Sequence, residues 1–276
     1  MKIVRFWQGE EARVGVVIGD GVADVTGRFS SIRQLIIAGI PADLAQAKPT
    51  LKLSEIKFAV PVANVTKILC AGRNYRAYHE LKEEGKDPGF PSIFGRFQSS
   101  FAAHNQPLER PKVSEQLDYE GELVVAIGKG GRHIAREDAM KHVAAYTVAN
   151  EGTIRDWAKA GTQNLPSKNF NRCGAMGPWL VTADEIADPM KLRVVTRRNG
   201  QVVQDGNTDQ MIFDIAFLIS HISKFMDLGP GDMICTGSPG GSAIESKPPD
   251  WLKPGDVMEM EVAGVGVLRN TVVDEA

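Results

Sequence analysis

The sequence predicts a mainly β (α+β) fold with a small β-rich module at the N-terminus. Three features support this: most apolar stretches are short, many are rich in β-branched residues, and turns containing Gly, Pro or Asp separate them. One later stretch has the 3.6-residue periodicity of an amphipathic helix. We predict two domains, a module of residues 1–62 and a larger domain of residues 63–276.

The composition argues against several classes of protein. The chain has 276 residues and a formal net charge of −2, which does not suit a nucleic-acid or anionic-membrane surface. No apolar run approaches the roughly 18 residues of a membrane span, and the first residues lack a signal-peptide pattern. Three widely separated cysteines fit a reducing compartment better than a disulfide framework. We therefore expect a cytoplasmic protein.

The N-terminal module carries no candidate chemistry. Lys2–Trp7, Arg13–Ile18 and Val22–Val25 have the pattern of short strands, and a helical pattern begins after Ser31. The larger domain begins with a buried type of strand, Val65–Cys70, that runs into a glycine turn. We expect the module to have a structural role.

The glycine turn brings Arg73 to a strand end, followed by a helical stretch. Arg73 can bind a carboxylate in a planar geometry, or it can be a surface arginine. On the helix, His79 and Glu83 are four residues apart and share a face. They are either a base with its orienting carboxylate or an exposed pair.

Two glutamates lie at the entrance of a predicted strand spanning Leu117–Lys129. Side chains two residues apart share a face, so Glu120 and Glu122 lie side by side, and Val124 and Ala126 continue that face. Adjacent carboxylates repel, and a hard divalent cation with oxygen ligands removes the repulsion. The alternative is a solvated strand end, because Glu-x-Glu is a common pattern.

A third carboxylate, Glu151, follows the predicted strand Ala144–Asn150 and can complete an all-oxygen metal site. Lys168, further along, is either a solvated cation or an active-site cation. The histidines and cysteines lack zinc-ligand spacing, and the chain has no dinucleotide or Walker fingerprint. We therefore set aside a zinc or nicotinamide enzyme.

The C-terminal half contains a hairpin, a helix and a polar loop. Gly177-Pro178 predicts a turn into a strand, and Asn199-Gly200 predicts a type I′ hairpin. Thr208 or Asp209 is predicted to cap a helix that extends to Met226. Its apolar stripe faces the core, with His221 exposed on the other side. The loop after the strand Met233–Thr236 offers N–H and hydroxyl groups to an anion, and two strands close the chain.

The order of several motifs resembles the fumarylacetoacetate hydrolase family over about residues 65–276. The matching stretches are Gly72–Tyr75, Asp118–Leu123, Arg155–Trp157, Met176–Val181, Gln204–Thr208 and Thr236–Pro239. The resemblance implies a mixed β-sandwich roll, a homodimer, and a catalytic domain that holds Mg²⁺ or Mn²⁺. It also implies a small oxo-carboxylate substrate, as in aromatic compound catabolism.

The resemblance also implies roles for individual residues. It implies metal ligands at Glu120, Glu122 and Glu151, where the third ligand is more often aspartate in the family. The active-site lysine matches Lys168. The substrate-contacting positions match Arg73, Tyr75, Gln204, Thr236 and Ser238, the last standing where threonine is usual.

One departure from the family concerns the base that activates water. Several hydrolytic members use a His–Glu dyad, and its two positions here are occupied by Tyr78 and Leu81. His79 and Glu83 are each displaced from them. Either the short helix shifts its register, or this protein lacks that base.

We expect a divalent-metal-dependent hydrolase that cleaves a C–C bond in an acylpyruvate or fumarylpyruvate type of carboxylate through an enolate. In that reaction His79, with Glu80 or Glu83, is the base, and Lys168 neutralises charge. The first alternative is decarboxylation or isomerisation of a 2-oxo or 2-hydroxydienoate dicarboxylate. A second is a non-catalytic binding protein with a structural cation.

Overall fold

A large mixed sheet forms the centre of the protein. The computed structural model describes residues 1–61, 63, 67–76 and 88–276. Its strands, in chain order, are β1 (Lys2–Gln8), β2 (Glu11–Ile18), β3 (Gly21–Asp24), β4 (Leu51–Lys52), β5 (Lys57–Phe58), β6 (Ile68–Gly72), β7 (Ser92–Arg96), β8 (Phe101–Ala102), β9 (Leu108–Arg110), β10 (Leu117–Asp118), β11 (Gly121–Ile127), β12 (Val143–Asn150), β13 (Thr153–Ile154), β14 (Gly174–Thr182), β15 (Arg193–Arg198), β16 (Gln201–Asn207), β17 (Met233–Cys235), β18 (Val257–Val262) and β19 (Gly266–Asp274).

In the described residues the large sheet has twelve strands, in the order β4-β3-β2-β1-β14-β12-β11-β17-β6-β7, with β5 on β1 and β8 on β14. The N-terminal strands join it because β1 pairs antiparallel with β14, Lys2 opposite Val181 and Ile3 opposite Leu180. The two predicted segments therefore share one sheet. Their division into separate domains stays a prediction.

A second sheet, ordered β16-β15-β18-β19-β9, packs against one face of the first. Leu123, Val125 and Ile127 of β11 belong to the core on that face. Val124 and Ala126 belong to the core on the opposite face, which also contains apolar residues of the N-terminal segment. This alternation confirms the prediction for the strand, and the two stacked sheets confirm a mainly β fold.

Helices are short in the described part of the chain. The α-helices are α1 (Ile32–Ile37), α2 (Arg155–Ala158), α3 (Leu165–Lys168) and α4 (Ile215–Ser223). The 3₁₀ helices are Ala42–Gln46, Leu53–Glu55, Gln98–Ser100, Arg136–His142, Ala183–Glu185, Thr208–Gln210 and Ala243–Glu245. None of these described helices is long and apolar enough to cross a membrane.

The predicted start of the long helix is wrong. Helix α4 begins after Asp214, whose side chain accepts a hydrogen bond from Phe217 N at 2.7 Å. Thr208–Gln210 forms a separate 3₁₀ helix. The backbone between them is held by Asn74, which accepts hydrogen bonds from Ile212 N and Phe213 N at 2.8 and 2.9 Å. These tertiary bonds replace the helical bonds that the apolar pattern predicts.

The two predicted turns have different outcomes. Asn199 and Gly200 have φ of 52° and 81° and join β15 to β16, which confirms the type I′ hairpin. Gly177-Pro178 is not a turn, because it lies inside β14. The pairing of β14 with β12 continues on both sides of Pro178, with a register shift between Tyr146 and Val148 that accommodates the proline.

Candidate active site

Three glutamates meet where β11 and β12 pair. Gly121 lies opposite Asn150 in this antiparallel pair, so the entrance of β11 and the end of β12 lie together. One carboxylate oxygen from each of Glu120, Glu122 and Glu151 lies within 4.8 Å of the others. The structure therefore brings together the three residues predicted as metal ligands.

The predicted strand through Leu117–Lys129 is interrupted in front of the cluster. It consists of β10 and β11, separated by Tyr119 and Glu120. Tyr119 N donates to the carboxylate of Asp118 at 2.7 Å, and Glu120 N donates to Asn150 Oδ1 at 3.0 Å. The backbone N–H groups of Tyr119 and Glu120 thus donate to side-chain oxygens and not to the backbone of a neighbouring strand.

Alternating charges run through the cluster in the order Arg155, Glu120, Lys168, Glu151 and Arg96. Arg155 Nη2 lies 2.5 Å from Glu120 Oε1, and Lys168 Nζ lies 2.6 Å from Glu120 Oε2. The same Lys168 Nζ lies 2.8 Å from Glu151 Oε2, and Arg96 Nη1 lies 3.3 Å from Glu151 Oε1. Each of these two carboxylates thus has a cation on each oxygen.

Glu122 differs, because none of the described residues forms a salt bridge with it. It is 2% exposed, and its Oε2 accepts a hydrogen bond from Gly237 N at 2.9 Å. Burial raises the pKa of Glu122 well above its usual value, and the negative charges of Glu151 and Glu120 raise it further. Burial also acts on Glu120, but Lys168 and Arg155 outweigh it and hold the pKa of Glu120 at about 2.

The glutamate cluster fits a hard divalent cation. Its donors are all carboxylate oxygens, the ligands that Mg²⁺ and Mn²⁺ prefer. A divalent cation would also supply the positive charge that Glu122 lacks. The buried hydroxyl of Tyr75 has no hydrogen-bond partner in the described residues. Burial raises the pKa of Tyr75, and the negative charge of Glu122 raises it further.

Lys168 is an internal cation and not a solvated one. It closes α3 and is 6% exposed. Burial disfavours its charged form, but the charges of Glu120 and Glu151 outweigh burial and raise the pKa of Lys168. The structure thus places Lys168 where the resemblance predicts an active-site lysine, and keeps it as an ammonium ion.

The other residues predicted to contact the substrate differ in their hydrogen bonds and in their exposure. Gln204 Oε1 accepts from Gly121 N at 2.9 Å and Thr196 Oγ1 at 2.8 Å, so Gln204 supports β11. Thr236 Oγ1 donates to Leu123 O at 2.8 Å. Ser238 is half-buried on the loop that also carries Gly237, and Arg73 is exposed on the turn after β6.

His79 and Glu83, with the dyad positions Tyr78 and Leu81, lie outside the described residues. Their role as a base stays a prediction. The described histidines are His104, His133, His142 and His221, and none of them forms a hydrogen bond or salt bridge with the three glutamates. His221 is half-buried, its ring stacked on Phe217.

Sequence reasoning assigned no role to three charged residues of the site, which are Arg96, Asp118 and Arg155. Arg96 closes β7 with a fully buried side chain. Asp118 accepts from Arg155 Nε at 2.6 Å and from Ala243 N at 2.7 Å, which ties the cluster to the loop after β17. A charge inside an otherwise strand-like stretch was the available signal for Arg96. The residue after Glu151 must be glycine in this fold, because a Cβ on Gly152 would lie 1.8 Å from Cys173 O.

Comparisons with known proteins identify the family and the fold. Residues 67–273 match the family described as fumarylacetoacetate (FAA) hydrolase, C-terminal. Human mitochondrial oxaloacetate tautomerase FAHD2A is 43% identical over 232 residues, which cover 83% of this chain and 74% of that protein. Because this relative is mitochondrial, the cytoplasmic location stays a prediction.

Solved structures share the fold over the whole chain. A fumarylacetoacetate hydrolase from Exiguobacterium antarcticum has a TM-score of 0.89 and 34% identity, with all of both chains covered. Maleylpyruvate hydrolase from Sphingobium sp. SYK-6, in complex with manganese (II) ion and pyruvate, has a TM-score of 0.83 and 27% identity, again over all of both chains. These likenesses confirm the predicted mixed β-sandwich roll.

Proposed function

The chain belongs to the fumarylacetoacetate hydrolase family and is an enzyme, and we propose that it interconverts the keto and enol forms of a small 2-oxo dicarboxylate such as oxaloacetate. The observation that carries the proposal is the buried cluster of Glu120, Glu122 and Glu151 around Lys168. The name of the human relative, an oxaloacetate tautomerase, supports the substrate class.

Glu120, Glu122 and Glu151 would hold Mg²⁺ or Mn²⁺. When bound there, a divalent cation supplies Lewis acidity, which stabilises negative charge on the oxygens of an enolate. The manganese ion in the Sphingobium relative supports this choice of metal class.

With a divalent cation bound, the charges of the site would favour an anionic substrate. Among the described residues, the carboxylates of Asp118, Glu120, Glu122 and Glu151 outnumber the cations Arg96, Arg155 and Lys168 by one. A divalent cation would reverse the sign of that balance. Arg73, on the exposed turn after β6, would add a further cation for a second carboxylate.

The chain's own groups would hold and move the protons. Lys168 Nζ stays charged, so it would offset negative charge on the developing enolate oxygen and would not act as a base. Its three N–H groups already face Glu120 Oε2, Glu151 Oε2 and the backbone oxygen of Glu151. Tyr75 Oη, which has no partner among the described residues, stays protonated and can donate to the same oxygen or to a carboxylate. His79, oriented by Glu83, remains the predicted base for the proton on the carbon next to the oxo group.

A second candidate is hydrolytic C–C cleavage of an acylpyruvate or fumarylpyruvate type of substrate. The maleylpyruvate hydrolase of Sphingobium, with manganese and pyruvate bound, favours it. The same enolate would form, but water must be activated as well. Tyr78 and Leu81 at the family's dyad positions place the hydrolase second. Decarboxylation of oxaloacetate, a further alternative, requires no activated water.

The test is a comparison of reactions with and without metal. The absorbance of oxaloacetate enol is followed with Mg²⁺, with Mn²⁺ and after chelation, while pyruvate is measured from oxaloacetate and from a simple acylpyruvate. We expect metal-dependent acceleration of enol decay without matching pyruvate release. No acceleration with either metal would contradict the proposal. Metal-dependent release of pyruvate from the acylpyruvate alone would show that the protein is the hydrolase described as the second candidate.

A further inference from the structure

Arg96 has a fully buried guanidinium that forms hydrogen bonds with four residues around the end of β12 and packs on a fifth. Nε donates to Ser100 Oγ at 3.1 Å, and the face of the group packs on the ring of Phe101, 4.4 Å from its centroid. Nη2 lies 3.2 Å from Cys173 Sγ. Nη1 donates to both Glu151 Oε1 at 3.3 Å and Gly152 O at 3.1 Å.

The bonds from Nη1 fix Glu151 by its side chain and by the adjacent backbone. Glu151 has three side-chain torsions, and a carboxylate on such a side chain can take many positions if nothing holds it. Here Arg96 holds Oε1 while Lys168 holds Oε2 at 2.8 Å. Both oxygens therefore have a defined place relative to Glu120 and Glu122.

Arg96 acts on the cluster through Glu151. Its hydrogen bonds and salt bridge go to Ser100, Glu151, Gly152 and Cys173, and none of these goes to Glu120, Glu122 or Lys168. A lysine at this position could not reproduce the fork, because one ammonium nitrogen cannot reach Ser100, Cys173 and Glu151 together.

We propose that Arg96 is a positioning residue for the metal site: it sets the affinity for the divalent cation by fixing the Glu151 carboxylate beside Glu120 and Glu122. The inference rests on the metal dependence in the proposed function, and it concerns binding of the ion and not the choice of substrate. Groups that orient metal ligands commonly change metal affinity by about 10–100-fold when they are replaced.

The alternative is that Arg96 only joins β7 to the segment before β14. A structural arginine of that kind would lower stability when replaced and leave metal affinity as it was. Arg198 offers a matched control, since its side chain is 11% exposed and pairs with Asp256 at 2.7 Å. It also donates to the carbonyls of Asp250 and Trp251 at 2.8 and 3.1 Å, and it pairs with none of the three glutamates.

The experiment measures the Mn²⁺ dissociation constant of the full chain by titration calorimetry, with folding checked by circular dichroism. Arg96→Met and Arg96→Lys are expected to weaken Mn²⁺ binding by about 10–100-fold, whereas Arg198→Met keeps the wild-type affinity. Arg96→Lys provides the answer if Arg96→Met does not fold. A folded Arg96→Lys protein with wild-type Mn²⁺ affinity overturns the proposal.

A double-mutant cycle tests whether Arg96 acts through Glu151. Glu151→Asp withdraws the carboxylate from Arg96, so Arg96→Lys should cost less Mn²⁺ affinity in that background than in the wild type. An equal loss in both backgrounds overturns the proposal. If the wild type binds Mn²⁺ but does not tautomerise oxaloacetate, the proposed function is wrong and the role of Arg96 is unaffected. If the wild type does not bind Mn²⁺, both the proposed function and the role of Arg96 are wrong.

Discussion

Glu120 and Glu151 each lie between two cations, whereas Glu122 receives a backbone N–H from Gly237. The three glutamates could be predicted from sequence because alternation along a strand places i and i+2 on one face, and Glu151 ends the neighbouring strand. Arg96 could not be predicted in this role. It lies 55 residues before Glu151, and only the folded sheet brings the two together.

His104 provides a residue-scale prediction about pH. Its Nδ1 accepts a hydrogen bond from Arg269 N at 3.1 Å, and its ring meets Phe58 edge-on, with centroids 4.7 Å apart. Asp20 and Lys52 line the same cavity of about 430 Å³. Burial, and to a smaller extent the positive charge of Arg269, lower the pKa of His104 from 6.5 to about 4.

Because the folded pKa of His104 is below the unfolded one, the unfolded chain binds more protons between pH 6.5 and about 4. The free energy of unfolding should therefore fall as the pH is lowered through this window, by less than about 1.4 kcal/mol per pH unit from this group. His104→Asn keeps an acceptor for Arg269 N and should lose this part of the slope. Urea unfolding at several pH values measures it, and parallel curves for the two proteins would refute the assignment.

Element boundaries at the site depend on partners that are distant in sequence. The hairpin at Asn199-Gly200 is local and was predicted correctly. The start of α4 was not, because Asn74, 139 residues before Phe213, captures the backbone in front of it. The Asn74 side chain donates to Phe213 O at 2.9 Å and to Thr236 O at 2.8 Å. One side chain thus holds together the turn after β6, the approach to α4 and the loop after β17.

Asn74→Ala should lower the free energy of unfolding by about 2–4 kcal/mol, because it leaves buried backbone groups of Phe213 and Thr236 without partners. Asn171→Ala, at an exposed position, is the control and should have little effect. Guanidinium unfolding followed by fluorescence measures both. A loss for Asn74→Ala no larger than that for Asn171→Ala would contradict the assigned role of Asn74.

The N-terminal segment and the rest of the chain share one sheet, and the site is buried within the fold that this sheet forms. The core on the face of Val124 and Ala126 includes Ile3 and Phe6 from the N-terminal segment, so that segment covers the back of the strand that carries Glu122. The fold and the family were predictable because motif order and strand patterns extend along the chain. Substrate identity was not, because specificity depends on loops whose conformation no local pattern defines. The homodimer likewise stays a prediction.

We propose that Glu120, Glu122 and Glu151 together hold the divalent cation on which the enolate chemistry depends. Electron paramagnetic resonance of free Mn²⁺ during titration of the full chain tests it most directly, with Glu122→Gln beside Glu137→Gln, a change at an exposed position. We expect one tightly bound Mn²⁺ per chain in the wild type and in Glu137→Gln, and its loss in Glu122→Gln. A folded Glu122→Gln protein that binds Mn²⁺ as tightly as the wild type would contradict this role of the three glutamates.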